Sequence, residues 1–152
     1  MYLGIDLGTS GLRALLVDAS GTALGHADAG YDVQRPHPGW SEQDPDLWIA
    51  AVQSALAELG ASFDLRAIRA VSVAGHMHGA VVIGADDRPL CPCILWNDTR
   101  AAAEAQALDT DEARRSSGNI VFPGFTAPKL AWLQAHRPEV FAACVRVVLP
   151  KD

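Results

Sequence analysis

Tyr2-Leu3-Gly4-Ile5-Asp6-Leu7-Gly8-Thr9-Ser10-Gly11 decides how the rest of the chain is organised. An apolar run enters Asp6, passes through a turn of glycines and hydroxyls, and resumes as a second apolar run from Leu12 to Val17. The pattern predicts strand, tight turn, strand. Gly8 and Gly11 permit a sharp turn and leave room for a ligand. Exposed N–H groups in such a turn form a small anion-binding nest. Thr9 and Ser10 add hydroxyl donors, and Asp6 at the strand end can hold a cation that neutralises phosphate. The stretch has neither the GxxxxGKS of a Walker loop nor a GxGxxG opening a helix. Taken alone it fits an ordinary turn as well as a phosphate site, because Asp, Gly, Thr and Ser are common turn residues. Arg13 is equally compatible with a phosphate-binding cation and a solvated strand residue.

Around this hairpin, 152 residues suffice for one domain that buries roughly 68–70% of its unfolded surface. A hydrophobic content of 49% with mixed charge indicates a globular chain. The net charge of −6 argues against nucleic acid or an anionic membrane as the main partner, so a phosphate ligand would need local donors and a metal. No basic, apolar leader precedes Tyr2, and no apolar run is long enough to span a bilayer. Cys91, Cys93 and Cys144 lack framework spacing and suggest free thiols in a reducing cytoplasm. Cys91-Pro92-Cys93 has no second half with which to form a metal site.

Further along, Thr22 to Val33 predicts a third strand and hence an antiparallel meander. The loop Arg35 to Pro45 holds three prolines, with Trp40 as its anchor. Asp44 and Pro45 then open a helix whose apolar face is Leu47, Trp48, Ala51, Val52, Ala55, Leu56 and Leu59, stopped at Gly60. Ala70 to Ala74 predicts a buried parallel strand ending in Gly75-His76-Met77-His78-Gly79. Short strands are expected at Gly79–Ile83, Ile94–Trp96 and Val145–Leu149. Helices are expected from Asp98 or Thr99 to Leu108, from Thr110 to Ser117, from Thr126 to His136, and after Pro138. The Gly-His-Met-His-Gly turn lies at a strand carboxyl end, where open α/β sheets place ligands. His76 fits a core histidine, and His78 fits either a core histidine or a ligand contact. A zinc site from the two lacks a third ligand.

The hairpin resembles the first phosphate motif of the actin/Hsp70/sugar-kinase superfamily. Four further stretches extend the likeness along the chain: Pro38-Gly39-Trp40-Ser41-Glu42-Gln43-Asp44-Pro45, Gly75-His76-Met77-His78-Gly79, Ile94-Leu95-Trp96-Asn97-Asp98-Thr99-Arg100, and Gly118-Asn119 through Pro123-Gly124-Phe125-Thr126-Ala127-Pro128-Lys129. Together they resemble the N-terminal part of the first domain of the FGGY family of carbohydrate kinases, and its xylulokinase branch in particular. The glycerol-kinase branch has an Arg-Glu pair in place of Met77-His78 and a Tyr in place of Gly124.

The resemblance implies an actin-like ATPase (ribonuclease H-like) α/β fold, with a mixed sheet, an N-terminal meander and flanking helices. Residues 1–152 would be the first part of a two-domain enzyme. The implied reaction is ATP-dependent phosphorylation of D-xylulose at the 5-hydroxyl, with Mg²⁺. Asp6 would organise Mg²⁺ through water. Gly8, Thr9, Ser10, Gly11 and Arg13 would hold phosphate, and Met77, His78, Trp96 and Asp98 would contact the sugar. For Asp98, helix capping is the competing role; for Trp96 it is strand-end packing. The expected partner is the sugar, with no nucleic acid or membrane, and a homodimer is open for the full-length enzyme. Family members are several-fold longer. Their general-base Asp, adenosine pocket and second phosphate motif lie later in the chain, so these residues alone are expected to be inactive. Another ketose kinase, such as one for ribulose, and a truncated sugar-binding domain are the alternatives.

Overall fold

A computed structural model describes residues 1–152. In chain order the elements are β1 (Tyr2–Leu7), β2 (Gly11–Val17), β3 (Ala23–Gly30), β4 (Glu42–Gln43), α1 (Pro45–Gly60), β5 (Val71–Gly75), β6 (Val81–Ile83), β7 (Cys93–Ile94), α2 (Ala102–Leu108), α3 (Asp111–Ser117), α4 (Thr126–His136), α5 (Pro138–Ala143) and β8 (Arg146–Val148). They fall into two compact units. The first is Met1–Val33 with Pro45–His76 and Lys151; the second is Gln34–Asp44 with Met77–Pro150 and Asp152.

The first unit is a four-stranded sheet in the order β3-β2-β1-β5. Its period-two pattern is matched across the hairpin. Leu3, Ile5 and Leu7 pair with Leu16, Ala14 and Leu12, and all six are buried. Helix α1 packs against β2 and β3. It buries Trp48, Ala51, Ala55 and Leu59 at helical spacing, while Leu47 stays exposed. Truncating a fully buried side chain such as Leu16 to Ala would cost roughly 2–5 kcal/mol. The expected meander and its parallel neighbour are both present, since β1 pairs antiparallel with β2 and parallel with β5. This is the mixed sheet anticipated for the actin-like fold. One expectation differs within residues 1–152: β5 is the outermost strand of the sheet, with Val71 56% and Val73 42% exposed. Its β-branched residues suit a strand whether or not anything covers them.

The second unit has two small antiparallel ladders, β4 with β7 and β6 with β8, and the helices α2 to α5. Val82, Ile94, Leu133 and Val140 form its core, with Leu90, Leu130, Trp132 and Phe141 packed against them. Helix α3 is present as expected, with Thr110 as its N-cap rather than its first residue: the Thr110 hydroxyl accepts from the Ala113 N–H, and the helix ends at left-handed Gly118. Helix α2 does not follow expectation. It begins at Ala102 with no side-chain cap, so neither Asp98 nor Thr99 caps it. Their hydrogen bonds go elsewhere, as described below. No helix of the chain is long and apolar enough to cross a membrane.

Candidate functional site

In the first unit, β1 and β2 meet at a turn closed by the Gly8 N–H donating to the Gly11 carbonyl at 2.9 Å. Neither glycine has a positive φ. The need for glycine at position 11 is instead one of approach: a Cβ there would lie 2.9 Å from the Ala29 carbonyl oxygen on β3. Tyr31 steadies the turn from outside the motif. Its hydroxyl donates to the Gly8 carbonyl at 2.8 Å, and its N–H donates to the Ser10 carbonyl at 3.2 Å. Burial, and then the nearby charge of Asp6, push the Tyr31 phenol up to about 12, so it stays a donor.

The turn borders an open depression of about 410 Å³, lined by Asp6, Gly8, Ser10, Gly11, Arg13 and Asp28 among others. Asp6 is exposed and directly opposite Arg13 in the β1–β2 register. Arg13 is committed: its guanidinium grips Asp28 through two bonds of 2.7 and 2.9 Å. A phosphate contact from Arg13 must therefore compete with, or be shared with, that pair. No group of three or more His, Cys, Asp or Glu side chains is placed to cage a metal. One exposed carboxylate beside a phosphate-sized recess nevertheless suits Mg²⁺, which keeps several waters and takes the rest of its shell from substrate phosphates.

In the second unit, three distant segments converge. The His78 ring lies 4.6 Å from that of Phe125, at a tilt of 31°, and Phe125 meets Phe122 edge-on. A Cβ on Gly124 would fall 2.2 Å from the Trp96 carbonyl oxygen, so the 123–125 turn fits against Trp96 only as glycine. Met77 and Trp96 are exposed. Burial, followed by the charge of Lys129, holds the His78 imidazole below its usual value. At neutral pH it is therefore an uncharged ring with one donor and one acceptor, suited to a sugar hydroxyl.

Asp98 is placed differently from expectation. It is 1% exposed, and its oxygens accept from the backbone N–H groups of Ser41 and Arg100 and from the Arg100 guanidinium. Arg100 also reaches Glu42 at 2.6 Å and lies over the Trp40 ring, 3.5 Å from its centroid. The Thr99 hydroxyl donates to the Gly39 carbonyl. Asp98 is thus an interior strut tying the 38–45 loop to the segment after β7, rather than a helix cap or a pocket wall. Trp40 anchors the loop as foreseen, through Arg100 and an edge contact with Trp132.

His76 packs edge-on to Trp48, and its N–H donates to the Leu7 carbonyl, in keeping with a core role. Tyr31, Glu42, Arg100 and Lys129 were missed as individual residues. The last three stand inside recognised motifs. Tyr31 could have been found only from its position at the end of a strand paired with the hairpin.

Residues 1–152 match the model of the N-terminal domain of the FGGY family of carbohydrate kinases. Xylulose kinase of Escherichia coli (strain K12) is 46% identical, over all of this chain and 32% of its own length. The crystal structure of a xyloylose kinase from Brucella ovis superposes with a TM-score of 0.97 at 53% identity, covering 99% of this chain and 32% of that one. That of gluconate kinase from Lactobacillus acidophilus gives 0.89 at 28%, covering 98% and 31%. The mixed α/β sheet and its match to a solved sugar kinase define the class as an actin-like ATPase fold. The chain belongs to the FGGY family of carbohydrate kinases. It spans about a third of the length of the relatives it matches.

Proposed function

We propose that the protein carrying this chain phosphorylates D-xylulose at its 5-hydroxyl, using ATP with Mg²⁺. The observation that carries this reading is the convergence of Met77-His78, Trp96 and Gly124-Phe125 in one unit. Two of the three, Met77-His78 and Gly124-Phe125, stand in the blocks whose resemblance points to the xylulokinase branch. A neutral His78 imidazole can bond a ketose hydroxyl, the Phe125 ring backs it, and exposed Met77 and Trp96 offer apolar surface to the sugar's C–H faces. Gluconate carries a carboxylate and would call for a cation, but Lys129, the lysine beside His78, is buried on backbone carbonyls.

The turn Gly8–Gly11 would hold phosphate oxygens on its N–H groups and on the Thr9 and Ser10 hydroxyls. Asp6 would hold Mg²⁺ through water, and the metal would supply charge neutralisation at the transferred phosphoryl group. A hydroxyl nucleophile needs a positioned base to accept its proton. We assign that base to the part of the relatives' length that this chain does not span. The three free thiols are in keeping with a reducing, cytoplasmic setting. The test is a coupled ADP-release assay on the full-length protein with D-xylulose, ribulose, glycerol and gluconate. The expected result is a kcat/KM at least about tenfold higher for xylulose than for any other, the scale of one well-used hydrogen bond. Preference for ribulose or gluconate would reassign the substrate.

A further inference from the structure

We propose that Lys129 is a positioning residue for sugar recognition, a buried ammonium that ties the Met77-His78 turn and the Pro123–Phe125 turn into one wall. The proposal rests on the sugar-site reading above. Lys129 is 0% exposed, so it cannot touch a substrate from solvent. Its Nζ donates to the His78 carbonyl at 2.6 Å and to the Gly124 carbonyl at 2.7 Å. The short distances are those of charge-assisted bonds.

Three features show that the tie acts on shape. His78 is held at φ 62°, a left-handed conformation that is uncommon for a residue with a side chain. The Thr126 hydroxyl, from the first turn of α4, is a second donor to the same His78 carbonyl at 3.3 Å. On the other side, Gly124 sits so close to the Trp96 carbonyl that the turn cannot shift toward it. The lysine therefore links all three candidate sugar segments: directly at residues 78 and 124, and through Gly124 at Trp96.

Lys129 makes no ion pair, and buried charges are normally paired with an opposite charge. Burial holds its ammonium well below lysine's usual value, at about 8. A methionine would fill the same space without that desolvation. The charge is accounted for by the two carbonyls it gathers, and its field is one cause of the neutral state of His78.

The test uses the full-length protein with Lys129→Met, Thr126→Val and His78→Ala. Lys129→Met should raise the KM for D-xylulose at least about tenfold, with the KM for ATP unchanged, the size expected when two carbonyls lose a shared donor. Backbone hydrogen exchange should speed up together at residues 77–80 and 122–126, with the β1–β2 hairpin unaffected. Thr126→Val should shift the sugar KM in the same direction by less and loosen only residues 77–80. Loosening of a single segment in Lys129→Met, or equal loss of sugar and ATP affinity, would overturn the proposal. If Lys129→Met does not fold, an unchanged sugar KM in Thr126→Val overturns it. The two readings fail separately. If His78→Ala leaves xylulose use intact, the sugar site is misplaced, yet the paired exchange response still tests the tie.

Discussion

The β1–β2 hairpin, proposed to hold phosphate, and the His78–Phe125 region, proposed to face the sugar, are built in opposite ways. In the hairpin, the expected ligand contacts lie within eight consecutive residues, Asp6 to Arg13, and two paired strands present them. Its ion pair, Arg13 with Asp28, is more than half exposed on both sides. In the second unit the polar groups come from far apart in sequence: Ser41 meets Asp98 across 57 residues, and His78 meets Lys129 across 51. The charges there are buried, with Arg100 4% and Asp98 1% exposed. A surface pair is screened by water and contributes little to stability. A buried network becomes costly once any member is missing. Substitutions in the hairpin should therefore change chemistry and spare stability, while those in the Asp98–Arg100 network should act first on stability.

The largest expected effect is on stability. Arg100→Met removes the cation ion-paired with both Asp98 and Glu42 and should destabilise the second unit by about 3–5 kcal/mol. Calorimetry on the full-length protein would read this as a lower transition temperature. A variant that melts with the wild type would erase the contrast between the two regions.

Next is Asp6→Asn in the hairpin. It should lower kcat by about 100-fold or more while leaving the melting temperature in place, because the exposed Asp6 has no packing to lose. Activity within a few-fold of wild type would reduce Asp6 to a turn residue.

His78→Ala sharpens the comparison from the sugar side. Losing one hydrogen bond to a ketose hydroxyl should cost about 1–3 kcal/mol in kcat/KM for xylulose, with ATP affinity untouched. Parallel loss of both affinities would mark His78 as structural.

The smallest effect is a pH dependence. Folding lowers the Lys129 pKa from 10.5 to about 8. Between those values the unfolded chain binds more protons than the folded one, so stability rises with pH there. Wild type should gain on Lys129→Met above about pH 8, by at most about 1.4 kcal/mol per pH unit. The difference should be flat below pH 8. Denaturant titrations of both proteins from pH 7 to 9 would measure it, and a constant difference would mean that Lys129 is not held in a desolvating site.

Alternation and helical spacing made the meander, its parallel neighbour, α1, α3 and α4 legible before any coordinates. The hairpin was legible too, because its chemistry is contiguous. The edge position of β5 was not, since its Val71 and Val73 look the same in sequence whether covered or exposed. Nor was the true work of Asp98. An Asp just before an alanine-rich segment is a good cap by local rules, but Arg100 and the Ser41 N–H claim it, from one turn away and from a distant loop.

Local pattern by itself determined the strands, most of the helices, the Gly8–Gly11 turn and the blocks that mark the family, because those depend on neighbours within a few residues. Only the tertiary structure decided that Tyr31 closes the phosphate turn, that Arg13 is shared with Asp28, and that Lys129 gathers the carbonyls of His78 and Gly124. Those roles are set by which groups the fold brings together from distant parts of the chain, and composition along the chain carries no record of that.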